Sequence, residues 1–181
     1  SPIKLQNGAI TKIGTTKILV TGGVKIIRSN KNKSIPASIK KPFLPSHEVY
    51  LGEINLNSTE LAWKKLPPMK RGRYKHMAFK MKDKVYVVGG LVVGRTVLSC
   101  CERYNIKENK WFQSNHHLPH PLFNASVVVT SDELFAIIIG GDDQNKKPTK
   151  NIIVFEESNG FKILEHKMSR SRSKNASICI N

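Results

Sequence analysis

The sequence is poor in acidic residues and has no long apolar run. It contains 13 aspartates and glutamates against 30 lysines and arginines, so its formal net charge is +17. Such an excess of one sign favours acidic partners and says nothing about the fold. Because no apolar run approaches the ~18 residues that a transmembrane helix needs, we expect no membrane span.

Cysteine is also scarce, which argues against a disulfide framework and against a structural zinc site. The three cysteines are Cys100, Cys101 and Cys179, two of them adjacent, and their spacing fits no zinc pattern. We therefore predict reduced thiols in a cytoplasmic chain. Residues 1–5 also lack the apolar core of a secretory signal.

What the sequence does contain is an internal repeat. A short apolar segment closed by two glycines occurs at Lys17–Gly23, at Lys84–Gly90 and at Ala136–Gly141. Apolar runs of this length between turn residues predict β-strands. The repeat outweighs other sequence features in deciding the fold, because each copy is expected to form one structural unit.

A large aromatic residue follows each glycine pair. Trp111 lies 21 positions after the second pair, and Phe161 lies 20 positions after the third. In the first copy the corresponding Trp63 lies 40 positions after the pair. The excess falls in residues 24–47, which are rich in lysine, serine and proline, so we predict a loop insertion there.

The linkers between the copies also match. In residues 69–79 and 168–178 a methionine, an arginine and a lysine recur at the same offsets, so that Arg73 and Arg172 occupy one repeat position. The middle linker, which starts at Leu118, has no arginine. A charged residue that recurs at a repeat position predicts a structural role rather than a contact with a partner.

The strand, the glycine pair, Tyr104, Trp111 and the Met-to-Arg linker together resemble kelch repeats. The resemblance covers nearly all of the 181 residues, although Ile54 stands in place of the tyrosine in the first copy. The last two glycine pairs are 51 positions apart, which is near the kelch period of about 50 residues. The resemblance implies an all-β, kelch-type β-propeller in which each copy is a blade of four antiparallel strands.

We therefore expect a partial propeller over residues 1–181. Blade one is predicted at 9–66, blade two at 76–114, blade three at 124–165, and the start of a fourth blade at 175–181. Because propellers usually close with about 4–8 blades, we expect the chain to be part of a longer protein or a larger complex. The predicted structural repeat positions are Gly22, Gly23, Gly89, Gly90, Gly140, Gly141, Tyr104, Trp63, Trp111, Phe161, Arg73 and Arg172.

Residues that could carry catalysis or bind a metal are few. Three histidines lie within residues 116–120, but their spacing fits no standard metal site. The two aspartates at 142–143 follow a glycine pair and are typical of a turn. Cys100 lies on a predicted strand without a paired histidine, which favours an inert thiol. We predict no catalytic residue, no metal and no cofactor.

Basic residues in the predicted loops are the remaining signal. In kelch propellers the loop after the glycine pair and the linker between blades lie on one face, so the resemblance implies that these residues share a surface. A solvated rim without a partner is the alternative interpretation. The candidate protein-binding residues are Lys25, Arg28, Lys40, Lys41, Lys70, Arg71, Arg95, Lys146, Lys147 and Arg170.

The resemblance implies a non-catalytic protein–protein interaction module with an acidic partner. Among kelch proteins the repeat is most similar to the substrate receptors of cullin-type ubiquitin ligases, which also carry BTB and BACK domains. A scaffold protein of the cytoskeleton or of a large assembly is the alternative, and an enzyme built on a kelch propeller is a more distant one. Nucleic-acid binding is disfavoured, because the sequence has no RNA-binding motif and no aromatic stacking pattern.

Overall fold

The computed structural model describes residues 5–26, 43–58 and 60–176, and within them the backbone is almost entirely β-structure, which confirms the all-β class. The one short helical turn in these residues is a 3-10 turn at Val93–Arg95. The strands are, in chain order, β1 Leu5–Gln6, β2 Ala9–Lys12, β3 Lys17–Thr21, β4 Val24–Ile26, β5 Phe43–Pro45, β6 Val49–Ile54, β7 Leu61–Leu66, β8 Met77–Met81, β9 Lys84–Val88, β10 Cys100–Asn105, β11 Lys110–His117, β12 Ser126–Val129, β13 Phe135–Ile139, β14 Ile152–Glu156 and β15 Gly160–Ile163.

Each sequence repeat forms one four-stranded antiparallel sheet, which we call a blade. Blade one has the order β2-β3-β6-β7, blade two β8-β9-β10-β11, and blade three β12-β13-β14-β15. The first strands of the blades, β2, β8 and β12, contact one another in succession and therefore lie innermost, around a central channel. This radial arrangement is the β-propeller that the repeat predicts. Most of the predicted fourth blade, from residue 177 on, lies outside the described residues.

The insertion is not a plain loop, and that prediction was wrong at both of its ends. Residues Val24–Ile26 pair with Phe43–Pro45, and Leu5–Gln6 joins them in a separate three-stranded sheet. The lysine- and serine-rich composition of 24–47 hid two short apolar ends, of which Val24 is only 2% exposed. Residues 27–42 lie outside the described residues.

The pairing register corrects one assignment in blade one. Trp111 pairs with Tyr104, whereas Trp63 pairs with Gly52 rather than with Ile54. A Cβ atom at Gly52 would lie 2.8 Å from Cζ3 of Trp63, so the glycine leaves room for the indole ring. Ile54 is 41% exposed instead. Register places Phe161 opposite Phe155 in blade three, at the position equivalent to Trp111.

The glycine pair is the point at which each linker docks on the preceding blade. Gly90 donates its N–H to the carbonyl oxygen of Leu122 (2.9 Å), and a Cβ at Gly89 would lie 2.3 Å from the same oxygen. Both glycines have positive φ angles, 64° and 89°. Only glycine combines this backbone conformation with so close an approach, which explains why the pair recurs.

Candidate functional site: the loop face

The linkers and the loops after the glycine pairs lie side by side. Isolated β-bridges join Tyr74 to Leu91, Phe123 to Asp142, and Thr149 to Arg172. We call this surface the loop face, and it comprises the linkers 67–76, 118–125 and 166–175, the loops 91–99 and 142–150, and the three-stranded sheet of β1, β4 and β5.

Six of the predicted basic contact residues are exposed on the loop face. None of them has an ion-pair partner among the carboxylates of residues 5–26, 43–58 and 60–176. The six residues are Lys70, Arg71, Arg95, Lys146, Lys147 and Arg170.

Local turns hold two of these basic segments in place. Arg95 follows Gly94 in a tight turn, in which its N–H donates to the carbonyl of Val92. In the next loop the Asp143 carboxylate accepts the N–H of Lys147 (2.9 Å), which closes a short turn. The cations therefore project from ordered backbone, and less conformational entropy is lost when a partner binds them.

Lys25 differs from the other candidates, because its ammonium group is already paired. Its Nζ lies 2.8 Å from Oε1 of Glu48, which Lys65 also contacts at 2.8 Å. Burial raises the pKa of Glu48, but hydrogen bonds from Lys25, Lys65 and Tyr50 outweigh it and lower the pKa to about 2. Lys25 thus serves the fold of blade one. Arg28, Lys40 and Lys41 lie outside the described residues.

Arg73 is fully buried, although it lies only two residues after the exposed Arg71. Its Nη2 lies 2.7 Å from Oε1 of Glu102, and its Nη1 donates to the carbonyls of Gly89 (2.9 Å) and Cys100 (3.2 Å). The guanidinium group therefore fastens the first linker to blade two and is not accessible to a partner.

Glu102 completes this clamp and was not anticipated from the sequence. Its carboxylate also accepts the backbone N–H groups of Lys70 (2.6 Å) and Arg71 (3.1 Å). The clamp thus sets the backbone from which two exposed cations project. The sequence offered one signal for this role, because Glu102 is an acidic residue on a repeat strand in a chain with few acidic residues.

Arg172 is the equivalent of Arg73 in the third linker, but its side chain is exposed. Its backbone still docks on blade three, since Gly141 donates its N–H to the Arg172 carbonyl (2.7 Å). The strands that bury Arg73 belong to the blade that follows it, and residues from 177 on lie outside the described residues. A structural role for the Arg172 side chain stays a prediction.

Two exposed apolar side chains lie beside the basic residues. Leu44 is 44% exposed and Val93 is 68% exposed. They belong to neighbouring elements, since β5, the returning strand of the insertion, contacts the turn Val93–Arg95. The sequence does not reveal this neighbourhood, because it depends on the strand at Phe43–Pro45 within the predicted loop insertion.

Two of the three histidines that were considered for a metal site make structural contacts, and the neighbouring thiol is buried. His116 Nε2 lies 3.1 Å from the carbonyl of Glu157, and His120 Nε2 lies 3.1 Å from the amide nitrogen of Asn151. Burial raises the pKa of the Cys101 thiol to about 12, which disfavours a reactive thiolate. In the part of the chain that the structure describes, no group of three or more histidine, cysteine or acidic residues is placed to hold a metal.

The fold and its loop face define a β-propeller assembled from kelch-type blades. Residues 79–113, which cover most of blade two, match the family model of the Kelch motif. Kelch-like protein 38 from Homo sapiens is 30% identical over 115 residues, and that from Mus musculus is 27% identical over 157 residues. These alignments cover 64% and 87% of this chain, but only 19% and 24% of the relatives.

A structural comparison agrees with the sequence comparisons. The solved structure of YjhT matches 96% of this chain, and 55% of its own chain, with a TM-score of 0.71 and 14% sequence identity. At this identity the match shows the fold alone. The chain therefore has the fold of a kelch-type β-propeller. It spans about a fifth to a quarter of the length of the curated relatives that it matches.

Within residues 5–26, 43–58 and 60–176, no helix has the length and the apolar composition that crossing a membrane requires.

Proposed function

We propose that this chain is the partner-recognition propeller of a larger intracellular kelch protein, and that its loop face binds an acidic segment of another protein. The observation that carries the proposal is the division of the basic residues on this face. Lys25 and Arg73 are paired with glutamates, whereas Lys70, Arg71, Arg95, Lys146, Lys147 and Arg170 are exposed and have no described acidic partner.

The charges and the apolar pair together indicate the chemistry of the partner. Unpaired cations on a rigid scaffold attract an acidic segment at long range and speed its association. Leu44 and Val93 supply an apolar contact next to Arg95, which adds affinity that salt does not screen. The expected partner segment therefore carries several acidic residues and an apolar side chain.

The role in the larger protein is a finer part of the same proposal. Similarity to Kelch-like protein 38 supports an interaction module. We propose that this module is non-catalytic and cytoplasmic and acts as an adaptor of a cullin-type ubiquitin ligase. A BTB domain elsewhere in the full-length chain would support the adaptor. Its absence, together with co-sedimentation of the chain with filaments, would favour the cytoskeletal scaffold.

Selection from a random peptide library on the immobilised chain tests the binding proposal. We expect the selected peptides to be enriched in aspartate and glutamate and to bind more slowly as salt increases, because the Debye length falls to about 8 Å at physiological ionic strength. The double variant Arg71→Glu/Arg95→Glu should slow association by about tenfold or more.

A matched control distinguishes the effect of charges on the loop face from the effect of the net charge of the chain. Lys64→Glu/Lys162→Glu makes the same change in charge at two exposed residues of the outermost strands β7 and β15. This variant should bind the selected peptides nearly as the unaltered chain does. Equal weakening in both variants, or selection of peptides without acidic residues, would reject the loop face as the acidic-partner site.

A further inference from the structure

A separate cavity opens at the end of the central channel on the side of the linkers. Its volume is about 560 Å³. It is lined by the residues that immediately precede the three innermost strands, together with the end of the third linker. The lining residues that matter here are Asn7, Lys75, His76, Asn124, Lys174 and Asn175.

Four of these residues form a continuous backbone ladder around the cavity. Lys75 donates its N–H to the carbonyl of Asn7 (2.8 Å), Asn124 donates to Lys75 (3.0 Å), and Lys174 donates to Asn124 (2.8 Å). All four have left-handed φ angles between 54° and 59°. Lysine rarely adopts this conformation, so its presence at two of the four positions is unusual. The hydrogen bonds of the ladder place the four residues next to one another around the channel mouth.

Two lysines and no acidic residue line the cavity. Lys75 and Lys174 contribute two ammonium groups. Within the described ranges neither lysine has a carboxylate at ion-pair distance. The nearby Asp142 carboxylate accepts a hydrogen bond from the Asn124 amide (2.7 Å) instead. A concave site lined by one sign of charge concentrates counter-ions.

From this cavity, its two lysines and the absence of acidic residues from its lining, we propose that the channel mouth binds a small free oxyanion of the phosphate type. The oxyanion would accept charge-assisted hydrogen bonds from Lys75 and Lys174, which are stronger than bonds between neutral groups. The site is distinct from the protein-binding residues of the loop face, since Arg71 and Arg95 do not line the cavity.

Calorimetric titration of the chain with inorganic phosphate, at ionic strength held constant with sodium chloride, tests this site. The informative variant is Lys75→Asn/Lys174→Asn, because asparagine already occupies the equivalent ladder positions at Asn7 and Asn124. Asparagine tolerates the left-handed conformation, so the backbone is preserved. We expect saturable one-to-one binding that weakens at least about tenfold in this variant.

The control removes the same charge elsewhere on the loop face. Lys146→Asn/Lys147→Asn also changes a lysine with a left-handed φ of 61°, and it should keep its phosphate affinity within about twofold. A melting curve for each variant establishes folding, and the single change Lys174→Asn, at an exposed residue, serves if the double variant is unfolded. No saturable binding, or equal weakening in both variants, would overturn the proposal.

Discussion

The two interfaces between blades use opposite chemistry at the same repeat position. Between blades one and two, Arg73 and Glu102 form a buried ion pair. Between blades two and three, the equivalent positions hold Leu122 and Ile153, both almost fully buried in one apolar cluster. The pairing register establishes the equivalence, because Glu102 lies opposite Val87 and Ile153 lies opposite Ile138 in matching strands.

The surrounding residues follow the same division. The first linker supplies the N–H of Lys70 to the Glu102 carboxylate, whereas the second linker has Pro119 at that position and has no N–H to give. The second interface also has the larger core, which includes a cluster of Phe79, Tyr86 and Phe155 with ring centroids 4.9–5.7 Å apart. The repeat therefore fixes the position at which a linker is clamped to the next blade, whereas the local sequence decides whether the clamp is an ion pair or an apolar contact.

The contribution of the ion pair is to position the backbone of the first linker more than to stabilise the fold. A buried pair is often no more stabilising than an apolar pair of similar volume, and Nε of Arg73 has no hydrogen-bond partner in the described residues. What the pair adds is geometry, because Glu102 holds the backbone N–H groups of Lys70 and Arg71. These are the cations that the proposed binding surface uses.

The largest expected effect comes from breaking the ion pair on one side. Arg73→Leu leaves a buried carboxylate without its cation and should lower the free energy of unfolding by about 3–5 kcal/mol. Urea denaturation of the chain measures this. The double variant Arg73→Leu/Glu102→Ile introduces the two side chains of the second interface and should recover part of the loss, because the N–H groups of Lys70 and Arg71 lose their carboxylate acceptor. If the double variant instead lost as much unfolding free energy as the two single variants together, the ion pair and the apolar pair would not be interchangeable at this repeat position.

A pH dependence should distinguish the interfaces next, because His76 lies in the first linker and Ala125 in the same place in the second. Burial, with the charge of Arg73, lowers the pKa of His76 from 6.5 to about 3. Only the unfolded chain binds this proton between those values. The His76 contribution therefore falls by about 1.4 kcal/mol for each pH unit below about 6.5.

The measurement is the unfolding free energy between pH 7 and about 5, a range above the usual titration of carboxylates. His76→Asn, which introduces the residue found at the equivalent Asn175, should remove this slope. An unchanged slope in that variant would assign the pH dependence to another group.

The smallest effect is expected at the solvent-exposed edge of the second interface. There Lys80 lies 2.7 Å from Glu133, with side chains 23% and 38% exposed. Exposed pairs contribute little, so Glu133→Gln should cost less than about 1 kcal/mol, and added salt should reduce the difference. The midpoint of urea unfolding at low and high salt tests this. A loss as large as that of Arg73→Leu would contradict the ranking of the two interfaces.

Much of the fold was predictable because the repeat pairs a strand pattern with a glycine motif that has a steric cause. The glycine pairs, Tyr104 and Trp111 were therefore informative in the sequence. Gly52 was not, because its role depends on the register between β6 and β7, which places it opposite Trp63. The repeat position of Arg73 predicted a structural role, but its partner Glu102 lies 29 residues away with no periodic signal.

The candidate site was predictable only as a set of loop cations. Sequence could not separate the paired Lys25 from the unpaired Arg71, since that depends on where Glu48 and Glu102 lie in space. It also missed Leu44 and Val93, because their proximity arises from tertiary contact between the extra sheet and blade two.

The central claim is that Arg71 and Arg73, two residues apart, divide between binding and folding. The direct test compares association of a library-selected acidic peptide with Arg71→Leu and with Arg73→Leu/Glu102→Gln, each checked for folding by a melting curve. The glutamine oxygen can still accept a hydrogen bond from the N–H groups of Lys70 and Arg71. The account predicts slower association for Arg71→Leu and nearly unchanged association for the double variant, which keeps the net charge. Loss of binding in the folded double variant, with full binding by Arg71→Leu, would contradict it.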